Sequence, residues 1–169
     1  YMLENKRIAV IGLGNVGLPL FVELSKKFET IGFDLSKKRI KELQNAKDST
    51  NEVNSKDLSN LKDFFTENTN KLKDRNVYIV TVPTPIKKNK EPDLAPLQKA
   101  CNTIGTFLDK EDLVIFESTV YPGLTEEFCI PILEKISSLE LNVDFMVGYS
   151  PERINPGDND RKLTDIKKV

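Results

Sequence analysis

The residues with the clearest chemical potential lie near the start of the chain, where an apolar run ends in Gly12-Leu13-Gly14-Asn15-Val16-Gly17. Glycines at this G-x-G-x-x-G spacing, between a strand and a helix, are typical of a turn that binds a pyrophosphate. The first glycine permits the tight turn, the second lets the backbone approach the phosphates, and the third lets the helix pack against the strand. N–H groups at the start of the helix would then face the anion. The segment therefore predicts a dinucleotide-binding turn.

A carboxylate stands where such a turn needs one. Asp34 ends the next apolar run, at about the 20-residue spacing expected for an acid that binds the ribose diol. Its negative charge would repel a 2′-phosphate, which favours NAD over NADP. Lys37, Lys38 and Arg39 follow, and a cation there could accept such a phosphate. For Lys37 and Lys38 a solvent-exposed helix face is the preferred interpretation.

The elements that must position these residues alternate along the chain, because short apolar runs recur with helical patterns between them. The predicted strands are approximately Arg7–Gly12, Thr30–Asp34, Lys62–Thr66, Val77–Val82, Leu113–Glu117 and Asp144–Gly148. The predicted helices are approximately Asn15–Phe28, Lys37–Asn45, Ala95–Leu108 and Leu124–Ser137, with a short one near Asn70–Lys73. This pattern predicts an α/β, doubly wound parallel sheet, the Rossmann fold, in one three-layer domain.

A polar stretch and a proline in the first predicted helix give two further local predictions. The polar stretch Asn45–Ser59 has few apolar residues and is predicted to be a mobile surface loop. Pro19 follows the first turn of the first predicted helix, so we expect it to remove a backbone donor and distort that turn.

In a doubly wound sheet the ligand crevice lies beyond the carboxyl ends of the strands, so the segments after the strands matter most. These segments are Thr81-Val82-Pro83-Thr84-Pro85, Glu117-Ser118-Thr119-Val120-Tyr121-Pro122-Gly123 and Tyr149-Ser150-Pro151-Glu152-Arg153-Ile154-Asn155-Pro156-Gly157. The prolines hold their neighbours extended and would leave the Thr84 hydroxyl at the crevice. Ordinary turn chemistry would also account for Pro, Ser and Gly here, although it accounts less well for the adjacent charges of Glu152 and Arg153.

The bulk composition excludes several classes of protein. The chain has 169 residues, 38% of them hydrophobic and 30% charged, as expected for one globular domain. Its net charge of −1 gives no electrostatic footprint for nucleic acid or an anionic membrane. No apolar run approaches the ~18 residues of a membrane span, and the N-terminus lacks a signal-peptide pattern.

The cysteine and histidine content narrows the chemistry further. Cys101 and Cys129 show neither a disulfide framework nor metal-ligand spacing, so no metal site is predicted. Each lies among apolar residues in a helical pattern and is expected to be a buried free thiol, which indicates a reducing cytoplasm. The absence of histidine excludes Ser-His-Asp and Cys-His catalysis within this chain.

Five segments, in order and spanning nearly the whole chain, resemble the UDP-glucose/GDP-mannose dehydrogenase family. They are Ile11-Gly12-Leu13-Gly14-Asn15-Val16-Gly17-Leu18-Pro19-Leu20, Gly32-Phe33-Asp34, Val82-Pro83-Thr84-Pro85, Glu117-Ser118-Thr119-Val120 with Pro122-Gly123, and Ser150-Pro151-Glu152-Arg153. Each motif is weak by itself, but five in register are specific. The run Ser150–Gly157 further resembles the branch that acts on UDP-N-acetylhexosamines.

The resemblance implies an enzyme that oxidises the 6-hydroxyl of a UDP-sugar to the aldehyde and then to the carboxylate, using NAD twice. Its uronate product would feed capsule, O-antigen or cell-wall polymers. By this resemblance the turn Gly12–Gly17 binds the pyrophosphate, and Asp34 and Arg39 contact the adenosine ribose. The residues implied on the rest of the cofactor are Val82, Pro83, Thr84, Ser118, Thr119 and Glu152, with Thr84 and Thr119 beside the nicotinamide.

The resemblance also implies catalytic roles. Thr119 would help to hold a catalytic water, Glu152 would assist thioester hydrolysis, and Arg153 would order its loop or contact the sugar. The family's nucleophilic cysteine lies in a glycine-rich motif that this sequence does not contain. Residues 1–169 are therefore expected to be the NAD-binding domain of a longer, homo-oligomeric enzyme, able to bind NAD without full turnover.

Two other interpretations stay open at this point. One is an NAD(P) dehydrogenase domain of the 3-hydroxyacid or 6-phosphogluconate type, which shares the first βαβ unit; the run Ser150–Arg153 argues against it. The other is a non-catalytic nucleotide-binding module.

Overall fold

The computed structural model describes residues 5–118 and 121–150, which form one parallel sheet with helices on both faces. Its strands are β1 Arg7–Ile11, β2 Glu29–Phe33, β3 Phe65–Thr66, β4 Val77–Val80, β5 Leu113–Phe116 and β6 Met146–Tyr149. They lie in the order β3-β2-β1-β4-β5-β6 and every neighbouring pair is parallel. This is the strand order of the Rossmann fold, so the predicted fold class is confirmed.

The helices form the two outer layers. They are α1 Gly17–Ser25, α2 Lys37–Gln44, α3 Ser55–Leu61, α4 Ala95–Phe107 and α5 Ile130–Ser137, with 3₁₀ turns over Lys62–Phe64 and Thr69–Leu72 and a π-helical turn over Thr125–Cys129. Helices α1 to α3 contribute to one apolar cluster, and α4 and α5 contribute to the other. Among the described residues, no helix combines the length and the apolarity that crossing a bilayer requires.

Strand β1 lies in the middle of the sheet and is covered on both faces. Ile8 and Val10 belong to the cluster under α1 to α3, whereas Ala9 and Ile11 belong to the cluster under α4 and α5. All four are almost fully buried. Burial on both faces explains why this strand is a continuous apolar run.

The prediction of a surface loop over Asn45–Ser59 is wrong for its last third, where α3 begins at Ser55. The Asn54 side chain accepts a hydrogen bond from the Asp57 N–H and caps this helix, and Leu58 is fully buried against the core. A single apolar residue in a polar run gives little periodicity, so the pattern concealed a helix that its cap and one buried leucine hold in place.

The third strand and the first helix also differ from prediction. Strand β3 has only two residues, because Lys62–Phe64 form a 3₁₀ turn that leads into it. Pro19 lies within the first turn of α1, where Leu18 N–H donates to Gly14 O and Leu20 N–H donates to Val16 O on either side of it. The turn is therefore intact, and the missing proline donor delays the regular helix to Gly17. The other elements agree with prediction to within a few residues at their ends.

Candidate dinucleotide-binding site

A cavity of about 580 Å³ opens beyond the carboxyl ends of β1, β2 and β4. Its walls are the glycine turn after β1, Asp34 after β2, Val82 and Pro83 after β4, and one face of α4. Strands β2 and β3 lie on one side of β1, and β4 to β6 lie on the other, so the strand order switches between β1 and β4. Ligands of doubly wound folds bind at such a switch point.

The three positions of the turn have glycine for different structural reasons. Gly12 has φ +96°, and a Cβ there would lie 3.1 Å from the Val82 nitrogen. A Cβ on Gly17 would lie 1.8 Å from the Gly12 carbonyl oxygen and 2.3 Å from Thr81 Oγ1. A Cβ on Gly14 would meet nothing within 4 Å. Packing thus requires Gly12 and Gly17, whereas Gly14 leaves open space on the cavity wall.

The start of α1 presents unused hydrogen-bond donors. The first intrahelical bond runs from Leu18 N–H to Gly14 O, so Asn15, Val16 and Gly17 precede it, and their N–H groups donate to no other described residue. Such N–H groups, at the positive end of a helix dipole, bind anions. Together with the open space over Gly14, they fit a pyrophosphate.

Asp34 connects the glycine turn to the second strand and keeps acceptor capacity. Its Oδ2 accepts from Leu13 N–H at 2.9 Å and its Oδ1 accepts from Ser36 N–H at 2.8 Å. A carboxylate has about four lone-pair sites, so each oxygen can accept a further bond from the cavity side. The carboxylate therefore fits a ribose diol while it holds the turn.

Arg39 lies on the cavity wall, but its guanidinium is held by other parts of the chain. Nε donates to the Leu13 carbonyl at 2.8 Å. Because the Leu13 N–H donates to Asp34, both backbone polar groups of Leu13 are held. The two Nη atoms donate at 2.8 Å to Glu42 and to Asp48. Sequence reasoning implied a ribose contact for Arg39; the structure describes a brace between the glycine turn, α2 and the following loop.

Residues after β4 and β5 meet beside the cavity. Val82 and Pro83 line it, and Ser118 Oγ donates to the Val82 carbonyl at 2.8 Å, so it braces the wall from β5. Thr84 is half-buried next to Pro83 and does not line the cavity.

Thr81 belongs to the segment after β4, but sequence reasoning assigned it no role in the site. It is buried at the end of β4, and its Oγ1 lies 2.7 Å from the Gly12 carbonyl and 3.1 Å from the Ile11 carbonyl, to which it can donate. The hydroxyl thus holds the bend where the chain leaves β1. The signal was a polar residue directly after the apolar run Val77–Val80.

One face of α4 is a second omission. The residues Ala95, Lys99 and Thr103 recur at intervals of one helical turn and all line the cavity. Lys99 is exposed and brings a cation to the wall. These small and polar residues share one helix face and do not follow a strand, so the crevice rule did not indicate them.

Thr119, Glu152 and Arg153 lie outside the described residues. Their catalytic and substrate-binding roles remain predictions.

Free N–H groups at a helix start, open space over a glycine and a neighbouring carboxylate together define a dinucleotide-binding domain of the Rossmann class. The sequence profile of the "UDP-glucose/GDP-mannose dehydrogenase family, NAD binding domain" matches residues 6–169, and the chain belongs to this family. Membership favours the sugar-nucleotide dehydrogenase interpretation over the 3-hydroxyacid type and over a non-catalytic module. It also supports NAD as the cofactor.

Similar proteins agree with this assignment. The chain is 53% identical over 168 residues to a UDP-N-acetyl-D-glucosamine 6-dehydrogenase of Salmonella typhi, and 54% identical over 168 residues to one of Pseudomonas aeruginosa. The match covers 99% of this chain and 40% of each relative, so the chain spans less than half of their length. A UDP-D-ManNAc dehydrogenase structure from Pyrococcus horikoshii superimposes with a TM-score of 0.79 at 35% identity, covering 89% of this chain and 37% of that one.

Proposed function

We propose that this chain is the coenzyme-binding part of a cytoplasmic enzyme that oxidises the 6-hydroxyl of a UDP-N-acetylhexosamine to a carboxylate in two NAD-dependent steps. The substrate would be UDP-N-acetylglucosamine or UDP-N-acetylgalactosamine, and the uronate would enter polysaccharide biosynthesis. The supporting observation is identity of 53% and 54%, over 99% of the chain, to two UDP-N-acetyl-D-glucosamine 6-dehydrogenases.

Within this proposal the described residues bind and orient the coenzyme. The N–H groups of Asn15, Val16 and Gly17 hold the pyrophosphate, Asp34 holds the adenosine ribose, and Arg39 fixes the turn. When bound, NAD supplies the hydride acceptor for both oxidations. Val82 and Pro83, braced by Ser118, would exclude water from the nicotinamide side, with Thr84 beside them.

The proposal extends to residues outside the description and to partners. Thr119 would hold the attacking water, Glu152 would assist hydrolysis of a thioester, and Arg153 would contact the sugar or order its loop. The thiol that forms that thioester, most of the UDP-sugar site and the contacts of a homo-oligomer would belong to the part of the enzyme that the relatives have beyond this match.

The substrate assignment is tested with the full-length protein, UDP-N-acetylglucosamine, UDP-N-acetylgalactosamine and UDP-glucose. NADH formation followed by absorbance should reach two equivalents per sugar with an N-acetylhexosamine and should be far slower with UDP-glucose. The 169-residue chain by itself is the control for coenzyme reduction without the second half. A full-length protein that binds NAD yet reduces none with either N-acetylhexosamine would refute the substrate assignment.

The ribose assignment is tested by Asp34→Ala. Loss of charge-assisted hydrogen bonds to the diol should weaken NAD binding by about 1.5–3 kcal/mol and should affect NADP far less, because the repulsion of its 2′-phosphate is lost as well. Titration calorimetry with both coenzymes measures the difference. Asp63→Ala, at an exposed acid in the 3₁₀ turn, is the matched control; equal losses for NAD and NADP would show that Asp34 does not contact the diol.

A further inference from the structure

Every donor of the Arg39 guanidinium has an acceptor within the chain. The five N–H groups of an arginine here face the Leu13 carbonyl, the Glu42 and Asp48 carboxylates at 2.8 Å, and the Ser49 and Thr50 hydroxyls at 3.4 Å. The side chain is 11% exposed. A cation at the ribose end of a dinucleotide site is therefore present, but its hydrogen bonds and its charge are already satisfied.

Asp48 is the most buried of these partners, with a side chain 1% exposed. Besides Arg39, its two oxygens accept from the N–H groups of Thr50, Glu52 and Val53 and from the Thr50 hydroxyl. Burial would raise the pKa of Asp48, but the hydrogen bonds from Thr50, Arg39 and Val53 together outweigh it and lower the pKa below its usual value. Asp48 is therefore an ionised anchor for a loop whose Ser49 and Thr50 line the same cavity.

We propose that Asp48 is a specificity-determining positioning residue, which makes the site select NAD over NADP by occupying Arg39. A 2′-phosphate carries about two negative charges and is best bound by an arginine with two free N–H groups. Asp48 and Glu42 accept hydrogen bonds from the two Nη atoms of Arg39 and neutralise its charge, so these N–H groups are not available to a phosphate. Asp34 repels the 2′-phosphate directly. Because Asp48 neutralises Arg39, the arginine does not offset this repulsion.

This inference rests on the proposed placement of the adenosine ribose against Asp34. It explains why a basic residue five positions after that acid, which from sequence could accept a phosphate, does not create an NADP site. The selectivity would thus be set by a buried carboxylate that touches no part of the coenzyme.

The test is Asp48→Asn in the 169-residue chain, with NAD and NADP binding measured by titration calorimetry. One Asp48 oxygen accepts from Arg39 and Thr50 and the other from Glu52 and Val53. The asparagine amide has one acceptor oxygen, so it keeps one of these two sets of hydrogen bonds, and it no longer neutralises the charge of Arg39. NADP binding should strengthen about tenfold relative to NAD, while NAD binding itself should stay within about threefold of wild type. The double variant Asp48→Asn with Arg39→Met should lose this gain, which a merely structural role for Asp48 would not produce.

Asp57→Asn is the matched control, because this exposed acid accepts from the side chain of the capping Asn54 and makes no hydrogen bond or ion pair with Arg39; its coenzyme ratio should equal that of wild type. If Asp48→Asn does not fold in a thermal melt, Glu42→Gln removes the other charge that neutralises Arg39 and should shift the ratio in the same direction. Equal weakening of both coenzymes, or an unchanged ratio in a folded variant, would overturn the inference while leaving NAD binding intact. Wild-type protein that binds no NAD would overturn both this inference and the proposed function.

Discussion

Gly14 and Gly17 belong to the same turn, yet packing demands only one of them. The space that a Cβ on Gly17 would need is taken by the Gly12 carbonyl and the Thr81 hydroxyl, whereas a Cβ on Gly14 would enter open space. Neither residue has a positive φ. Gly17 is therefore needed for packing of the fold, whereas Gly14 is needed only for access of the ligand to the turn.

We expect Gly17→Ala to lower the free energy of unfolding by about 3 kcal/mol or more, because the helix must move away from the strand end. Gly14→Ala should leave stability unchanged or raise it by up to about 1 kcal/mol, but should weaken NAD binding because the methyl group occupies the approach to the phosphates. Urea unfolding and calorimetry measure the two effects. A Gly14→Ala protein with wild-type NAD affinity would contradict the placement of the pyrophosphate.

Residue spacing predicted the glycine turn and Asp34, because local geometry alone sets those requirements. Spacing could not reveal that Thr81 holds Gly12, since the two residues meet only when β4 pairs with β1. Asp48 was likewise hidden in a polar run, and its importance comes from burial beneath Arg39. Long-range hydrogen bonds of this kind leave no periodic signal in the sequence.

At the scale of elements, α4 and α5 pack unusually close together at Gly105. A Cβ on Gly105 would lie 2.9 Å from the Ile136 Cβ and 3.6 Å from the Leu133 carbonyl oxygen. Cys101 lies one turn earlier on α4, and Cys129 is the last residue of the π-helical turn before α5; both are free and buried. Their being free and buried confirms the expectation from the sequence. A hydrogen bond with Cys129, together with burial, raises the pKa of the Cys101 thiol.

These thiols should therefore be inert while the protein is folded, because the reactive species is the thiolate. An aromatic disulfide reagent should label neither cysteine in the native chain, and should label both in urea. Ser59→Cys, at an exposed position in α3, is the control and should react at once. Rapid native labelling of either cysteine would show that the α4–α5 interface opens readily.

The helices and strands that sequence predicted well are those with several buried residues in a regular period, such as β1 and α4. The one that it missed, α3, and the one that it predicted too long, β3, are short and depend on particular contacts. Helix α3 has one buried leucine and an asparagine cap, and β3 pairs with β2 over only two residues. Elements of this size are set by the rest of the fold more than by their own pattern.

At the scale of the molecule, the two edges of the sheet differ in chemistry. The carboxyl edge carries the dinucleotide site, whereas a larger cavity of about 1080 Å³ at the amino edge is lined by side chains of both charges. Asp112 lies there, directly before β5, and is 4% exposed. Burial, and secondarily the charge of Asp109, raise the pKa of Asp112 to about 6, although the Asp109 N–H donates to its carboxylate.

A raised carboxyl pKa in the folded state means that folding favours the protonated form. The contribution of Asp112 to stability should therefore fall as pH rises from about 4 to about 6 and remain unfavourable above that range. Asp112→Asn should remove this dependence and raise the free energy of unfolding at pH 7 by on the order of 2 kcal/mol. Urea titrations at several pH values measure it, with Asp63→Asn as an exposed control; a variant less stable than wild type at pH 7 would contradict the assignment.

The overall architecture was predictable because a parallel sheet covered on both faces needs continuous apolar strands alternating with amphipathic helices. The glycine turn after β1 indicated the Rossmann class, whose strand order the sheet has. The charged amino edge, by contrast, is assembled from the starts of β1, β4, β5 and β6, which are far apart in sequence.

The most direct test of the central claim is a crystal structure of this chain with bound NAD. We expect the pyrophosphate over Gly14, within hydrogen-bond distance of the N–H groups of Asn15 to Gly17, and the adenosine ribose hydroxyls on Asp34. Coenzyme bound at the amino edge of the sheet, or bound at the carboxyl edge with its pyrophosphate away from the glycine turn, would contradict it.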